Sequence, residues 1–122
     1  MPNPRLSPYG REAMRALEHF KLRGEVEPKL IYGESIGQVN QYIDIRTVEI
    51  GFTAKSVVLA PKMQGHGKWI EVPRESYQSI LQGIVMLKHG NETNAAAARQ
   101  FMEFMSSPRA RSIFEKFGYL LP

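Results

Sequence analysis

Two helix starts, each spelled out in capping residues and each set beside short apolar runs, restrict what this chain can become. At Ser7-Pro8-Tyr9-Gly10, serine is a favoured N-cap and proline suits the first helical position, where its missing N–H would lack a partner anyway. The first free amide of that helix then belongs to Tyr9, and Gly10 leaves little bulk beside it. Ala13, Leu17 and Phe20 recur at helical spacing with Met14 beside them. The spacing predicts an amphipathic helix from Pro8 to about Leu22, ended by Arg23-Gly24. The second start, Ser35-Ile36-Gly37-Gln38, has the form of a capping box, in which Ser35 and Gln38 satisfy each other's orphan amides. Ile36, Val39 and Ile43 carry that helix to about Thr47. The box leaves the Ile36 amide without a partner from the cap. Residues 29–32, followed by Gly33, and residues 48–54, with Gly51 inside, read as strands. Helices alternating with short strands predict a layered α/β domain.

A helix N-terminus presents unpaired N–H groups at the positive end of the dipole, which is a ready site for an anion. Tyr9 and Ile36 are therefore the candidate binding residues, through their amides, with Ser7, Gly10 and Ser35 in support. Further along, residues 55–60 are ambiguous between helix and extended chain, 64–67 form a turn, and 69–72 and 80–87 read as strands. Gly83 within the last run suggests a bulge or a close backbone approach. After a loop at 89–91, Asn94 opens a helix to Met105 with Ala97, Phe101, Phe104 and Met105 on its apolar face. Ser107-Pro108 opens a last helix bearing Ala110, Ile113, Phe114 and Phe117, with Gly118 placed to cap it.

Composition narrows the chemistry. The 122 residues suit a globular chain with a real core, and 43% are hydrophobic and 23% charged. No cysteine is present, so disulfides and thiolate metal sites are excluded. A net charge of +4 is spread along the chain without a basic block, which argues against nucleic acid. There is no apolar run long enough to span a membrane, and residues 1–4 have no signal-peptide character. His19, His66 and His89 lie far apart without metal-motif partners, and no nucleophile–base pair, dinucleotide fingerprint or Walker loop occurs. Gly65-His66-Gly67-Lys68 is a weak echo of a phosphate loop, but it precedes a strand rather than a helix. No catalytic residue, cofactor or resident metal is expected.

With these features placed, the chain resembles the periplasmic molybdate-binding proteins of bacterial ABC importers. The matching marks are Asn3-Pro4, Ser7-Pro8-Tyr9-Gly10-Arg11, Pro28-Lys29-Leu30, Tyr32-Gly33-Glu34-Ser35-Ile36, Val48-Glu49-Ile50-Gly51-Phe52, Ser107-Pro108 and Phe117-Gly118-Tyr119. The resemblance implies the type II periplasmic-binding fold, in which two α/β lobes hold tetrahedral molybdate or tungstate between neutral donors. It implies donor amides at Tyr9 and Ile36, periplasmic localisation and partnership with a membrane permease. A tyrosine hydroxyl used by some members falls here on Ala54. The resemblance covers the second lobe (residues 1–90, incomplete at its N-terminal side) and the two C-terminal helices (91–122), which would pack on a first lobe this chain lacks. Exposed Phe101, Phe104, Ile113 and Phe117 are then expected to promote self-association, and anion binding by half a site to be weak. Two other readings share the pattern: the same fold holding sulfate or another small anion, and a ligand-sensing or interaction domain that binds none.

Overall fold

A computed structural model describes residues 1–121. Helices dominate it. The first, α1, spans Pro8–His19, and its predicted face is buried at Ala13 and Leu17, joined by Ala16. It stops earlier than the sequence predicts. Lys21 takes a left-handed φ of 59°, the Lys21 amide bonds the Glu18 carbonyl at 2.9 Å, and the Leu22 amide bonds the Leu17 carbonyl at 2.8 Å. This is a Schellman closure built on lysine. A short helix α2 (Arg23–Val26) follows, beginning where the sequence predicts a helix end, and then one 3₁₀ turn (Glu27–Lys29) that runs into the first residue of the expected strand 29–32.

Helix α3 spans Ile36–Asp44 and closes in the same way, with Arg46 at φ 58° and the Thr47 amide on the Tyr42 carbonyl at 2.8 Å. Its inner face is Val39, 1% exposed, and Ile43. Both press on glycines: a Cβ on Gly33 would lie 2.8 Å from Val39 Cγ2, and one on Gly51 would lie 2.6 Å from Ile43 Cδ1. Thr53 Oγ1 donates to Asn40 Oδ1, tying the following segment to α3.

The expected strands are the main correction. Among the described residues the only β pairing is a parallel bridge between Pro2 and Gly33. Residues 48–54, 69–72 and 80–87 carry no pairing. Their apolar character is that of strands, but a strand exists only where a neighbour accepts and donates its backbone hydrogen bonds, and among the described residues none pairs with them. Gly83 has nothing within 4 Å of its Cβ position, so it marks neither a bulge nor a close approach. The expected α/β class is thus not confirmed: the described residues form a helix-rich structure whose only β pairing is one isolated parallel bridge.

The ambiguous stretch becomes α4 (Lys55–Val58). The predicted turn at 64–67 is present, with Gly65 and Gly67 both at φ 80°. What was expected as loop at 89–91 lies within α5 (Lys88–Thr93). Helices α6 (Ala95–Met105) and α7 (Pro108–Lys116) fall where predicted, although the Asn94 side chain makes no cap bond. Gly118 closes α7 at φ 79°, as its position suggested, and the absent Cβ lets Lys55 of α4 and Leu59 just beyond it approach. Of the four side chains expected to stand exposed at this end, Phe101, Phe104 and Ile113 do so, while Phe117 is half-buried. The core proper is small: Met1, Ala13 and Leu17, with Met14, Val26, Leu30 and Phe52 packed against them.

Candidate functional site

The ladder places the two helix starts. The Met1 amine donates to the Ile31 carbonyl at 2.7 Å, the Gly33 amide to the Met1 carbonyl at 3.0 Å, and the Asn3 amide to the Gly33 carbonyl at 2.7 Å. Segments 1–3 and 31–33 therefore run side by side in the same direction. Each then turns into a helix within a few residues: the first through a tight turn whose Leu6 and Ser7 amides both bond the Asn3 carbonyl, the second through Glu34 and Ser35. Because the pairing is parallel, α1 and α3 both begin beyond the carboxyl edge of the ladder, where open α/β structures bind their ligands.

Two glycines hold this arrangement. A Cβ on Gly10 would sit 2.3 Å from the Pro2 carbonyl oxygen and 2.8 Å from the Pro4 nitrogen. The missing side chain of Gly10 thus faces the N-terminal segment, and its work is to let α1 lie against the ladder. Gly33 does the same for α3 through Val39. Sequence reasoning passed over Gly33, although a glycine directly between an apolar run and a helix cap is a signal of close approach.

The caps differ from expectation. Ser35 Oγ accepts the Gln38 amide at 3.2 Å as predicted, but Gln38 Oε1 accepts from the Glu34 amide, at 2.7 Å, rather than from Ser35. Ser7 is buried and makes no side-chain cap bond. Ser107, in the same Ser-Pro context, does cap, accepting the Ala110 amide at 3.2 Å. No side chain among the described residues therefore caps the first turn of α1, and the α3 cap engages Gln38 and Glu34 but not Ile36.

The Tyr9 side chain is half-buried and borders a hollow of about 110 Å³ formed with Lys55, Ser56, Phe117, Gly118 and Tyr119. Burial, and then Tyr119 nearby, push its phenol above the usual 10.0, against a smaller opposing effect of a hydrogen bond with Gln82. Tyr119 Oη donates to Ser56 Oγ at 3.5 Å. Lys55, the cation nearest this hollow, pairs with Glu71. Ala54, where a tyrosine hydroxyl would be expected from the resemblance, is buried at the N-cap of α4 and carries no side-chain donor.

No group of three His, Cys, Asp or Glu able to hold a metal exists among the described residues. All three histidines are exposed, His19 edge-on to Phe20 with ring centroids 4.9 Å apart. The exposed Gly65–Lys68 turn leads into unpaired chain and so makes no phosphate loop. What the structure offers at Tyr9 and Ile36 is neutral N–H donors and two dipole ends. Such groups can stabilise an anion but do no chemistry on it.

A family model described as bacterial extracellular solute-binding protein matches residues 1–120. The chain is 34% identical over 118 residues to the molybdate-binding protein ModA of Rhodobacter capsulatus, covering 97% of this chain and 45% of that one. It is 33% identical to ModA of Azotobacter vinelandii, covering 96% of this chain and 46% of the relative. The solved structure of the Azotobacter vinelandii periplasmic molybdate-binding protein matches it with a TM-score of 0.86 at 28% identity, over 100% of this chain and 53% of that one. The chain spans about half the length of the relatives it matches.

Proposed function

The chain belongs to the bacterial extracellular solute-binding protein family, and from that premise we propose that it supplies one side of an oxyanion site for molybdate uptake. The relatives named above are molybdate-binding proteins. On this reading the chain holds molybdate or tungstate as a bound oxyanion, works outside the cytoplasm and hands its ligand to an ABC transporter permease. No helix of the described residues is long and apolar enough to cross a membrane.

The observation that carries the binding role is the parallel ladder, which sets the starts of α1 and α3 at one edge. Two dipole ends at one edge, with amides at Tyr9 and Ile36 that no side chain caps, suit a dianion without Lys or Arg in contact. Selectivity then comes from the spacing of fixed donors. The 1–90 lobe carries these donors, and 91–122 forms the helical part that would meet the other half of the fold.

Proline at the first helical position tests the amide directly. Ile36→Pro deletes one N–H at a place where proline is well tolerated, and Ser35 already has the extended φ of −143° and ψ of 165° that a following proline requires. Ile36→Val keeps the N–H. Calorimetric titration should show molybdate binding weakened about tenfold or more in Ile36→Pro, the size of a lost bond to a charged acceptor, and nearly unchanged in Ile36→Val. Equal binding by both variants would remove Ile36 from the site. Competition by sulfate at comparable concentration would move the ligand to another tetrahedral anion.

A further inference from the structure

Helix α1 is held on two faces. On one, the missing Cβ of Gly10 lets the helix lie against segment 1–3. On another, two side chains one turn apart reach the same distant segment. Glu12 Oε2 accepts the Gln78 amide at 2.7 Å, a bond between residues 66 positions apart, and the Tyr9 phenol is hydrogen-bonded to the Gln82 side chain. Residues three apart share a helix face, so Tyr9 and Glu12 together meet a chain that runs from Gln78 back towards the start of α1. The upstream end of that chain is fixed. The 3₁₀ turn Arg74–Ser76 lies against α1 with Ser76 buried, and the Ser76 hydroxyl donates to the Pro73 carbonyl at 2.6 Å. The Arg74 guanidinium stands 5.3 Å from the centre of the Tyr77 ring and donates to Ser79 Oγ. Further along, apolar support gives out: Leu81 is 90% exposed, and a Cβ on Gly83 would meet nothing within 4 Å. There the contact between Gln82 and Tyr9 ties the chain to the helix start.

We propose that Gln82 and Glu12 are positioning residues for the anion site: through the Tyr9 side chain and the body of α1 they hold the first helical turn, and with it the Tyr9 amide, in place at the ladder edge. This role rests on the reading of that amide as an oxyanion donor. A donor fixed before the ligand arrives needs no ordering at binding, whereas the ends of helices fray. Ser7 makes no side-chain bond to the first turn of α1, so the usual local restraint is missing there. The strap formed by residues 78–82 supplies one from outside the helix. Helix α3 has no such need, because Ser35 accepts the Gln38 amide within its own first turn.

Tyr9→Phe removes the hydroxyl and keeps the amide, and Gln82→Ala removes its partner at an exposed position. Amide hydrogen exchange of the full chain reads the first turn at Arg11, whose amide bonds the Ser7 carbonyl at 3.1 Å. The Val39 amide, on the Ser35 carbonyl at 3.1 Å, is the matching bond in α3. Without ligand, each variant should lower protection at Arg11 about three- to tenfold, the worth of one hydrogen bond, and leave Val39 unchanged. The double variant should lose no more than either single one. Glu12→Ala should act in the same sense, and Glu12→Gln, which keeps an acceptor oxygen, should retain protection. Calorimetric titration with sodium molybdate should show affinity falling by a similar factor in Tyr9→Phe and Gln82→Ala. Unchanged protection at Arg11 overturns the positioning role, and so does an equal loss at Val39, the mark of a general loss of stability. Molybdate affinity that holds while Arg11 loses protection overturns it as well. A parent chain that binds no molybdate removes the proposed ligand, and the strap then stands or falls on the exchange at Arg11.

Discussion

Lys21 and Arg46 stand at φ 59° and 58°, a region that costs an L-residue about 1–2 kcal/mol and that glycine enters freely. Both are held there by paired Schellman bonds that end α1 and α3. Lys21→Gly or Arg46→Gly should raise stability by about 0.5–1 kcal/mol, seen as a higher urea midpoint at constant slope. Gly10 behaves in the opposite sense. Its Cβ position lies 2.3 Å from a backbone oxygen, which cannot swing aside as a side chain would. Gly10→Ala should therefore cost about 2 kcal/mol or more, read as a fall in melting temperature. Tyr9 titrates above its usual 10.0 in the folded chain, chiefly because it is partly buried. The folded state then keeps this proton where the unfolded state has lost it. The resulting stability is present below pH 10.0 and is lost as pH rises through the folded value. Denaturant midpoints followed above that pH should fall less steeply in Tyr9→Phe than in the parent.

At the scale of elements, three serine-led helix starts look alike in sequence and differ in the structure. Ser35 and Ser107 accept third-position amides, whereas Ser7 does not. Ser35→Ala and Ser107→Ala should each cost about 1 kcal/mol of stability in chemical denaturation. Ser7→Ala carries no cap loss, so a penalty of the same size there would show that Ser7 engages the first turn of α1 in solution. Helices α1 and α3 were legible because each carries its own instructions: a cap, a 3.6-residue apolar period and local bonds. Their stops were less so, because lysine or arginine at a left-handed position leaves no sign in the sequence, while Gly118 does. Three of the four apolar runs read as strands, 48–54, 69–72 and 80–87, failed for one reason. A helix closes its hydrogen bonds within itself, and a strand closes them only on a neighbour.

For the whole molecule, the small ladder between residues 1–3 and 31–33 decides more than its size suggests. It sets the starts of two separate helices at one edge. The amides at Tyr9 and Ile36 could be picked out from caps alone, and the resemblance supported the same pair. Their shared edge could not be read from caps, because it depends on a contact between residues about thirty positions apart. The apolar core around Ala13 and Leu17 is modest beside the exposed apolar runs, so stability should rise when those runs are covered.

By itself the sequence determined the positions of the main helices, the absence of thiol chemistry, the candidate amides and, through its motifs, the family. These are local or compositional properties, settled by capping, periodicity and residue type. Only the tertiary structure decided that Gly10 serves packing rather than ligand clearance, that Ser7 leaves its helix uncapped, and that three apolar runs stand without strand partners. Each of those turns on which atoms distant segments bring together, and that is set by long-range contacts rather than by any stretch of chain alone.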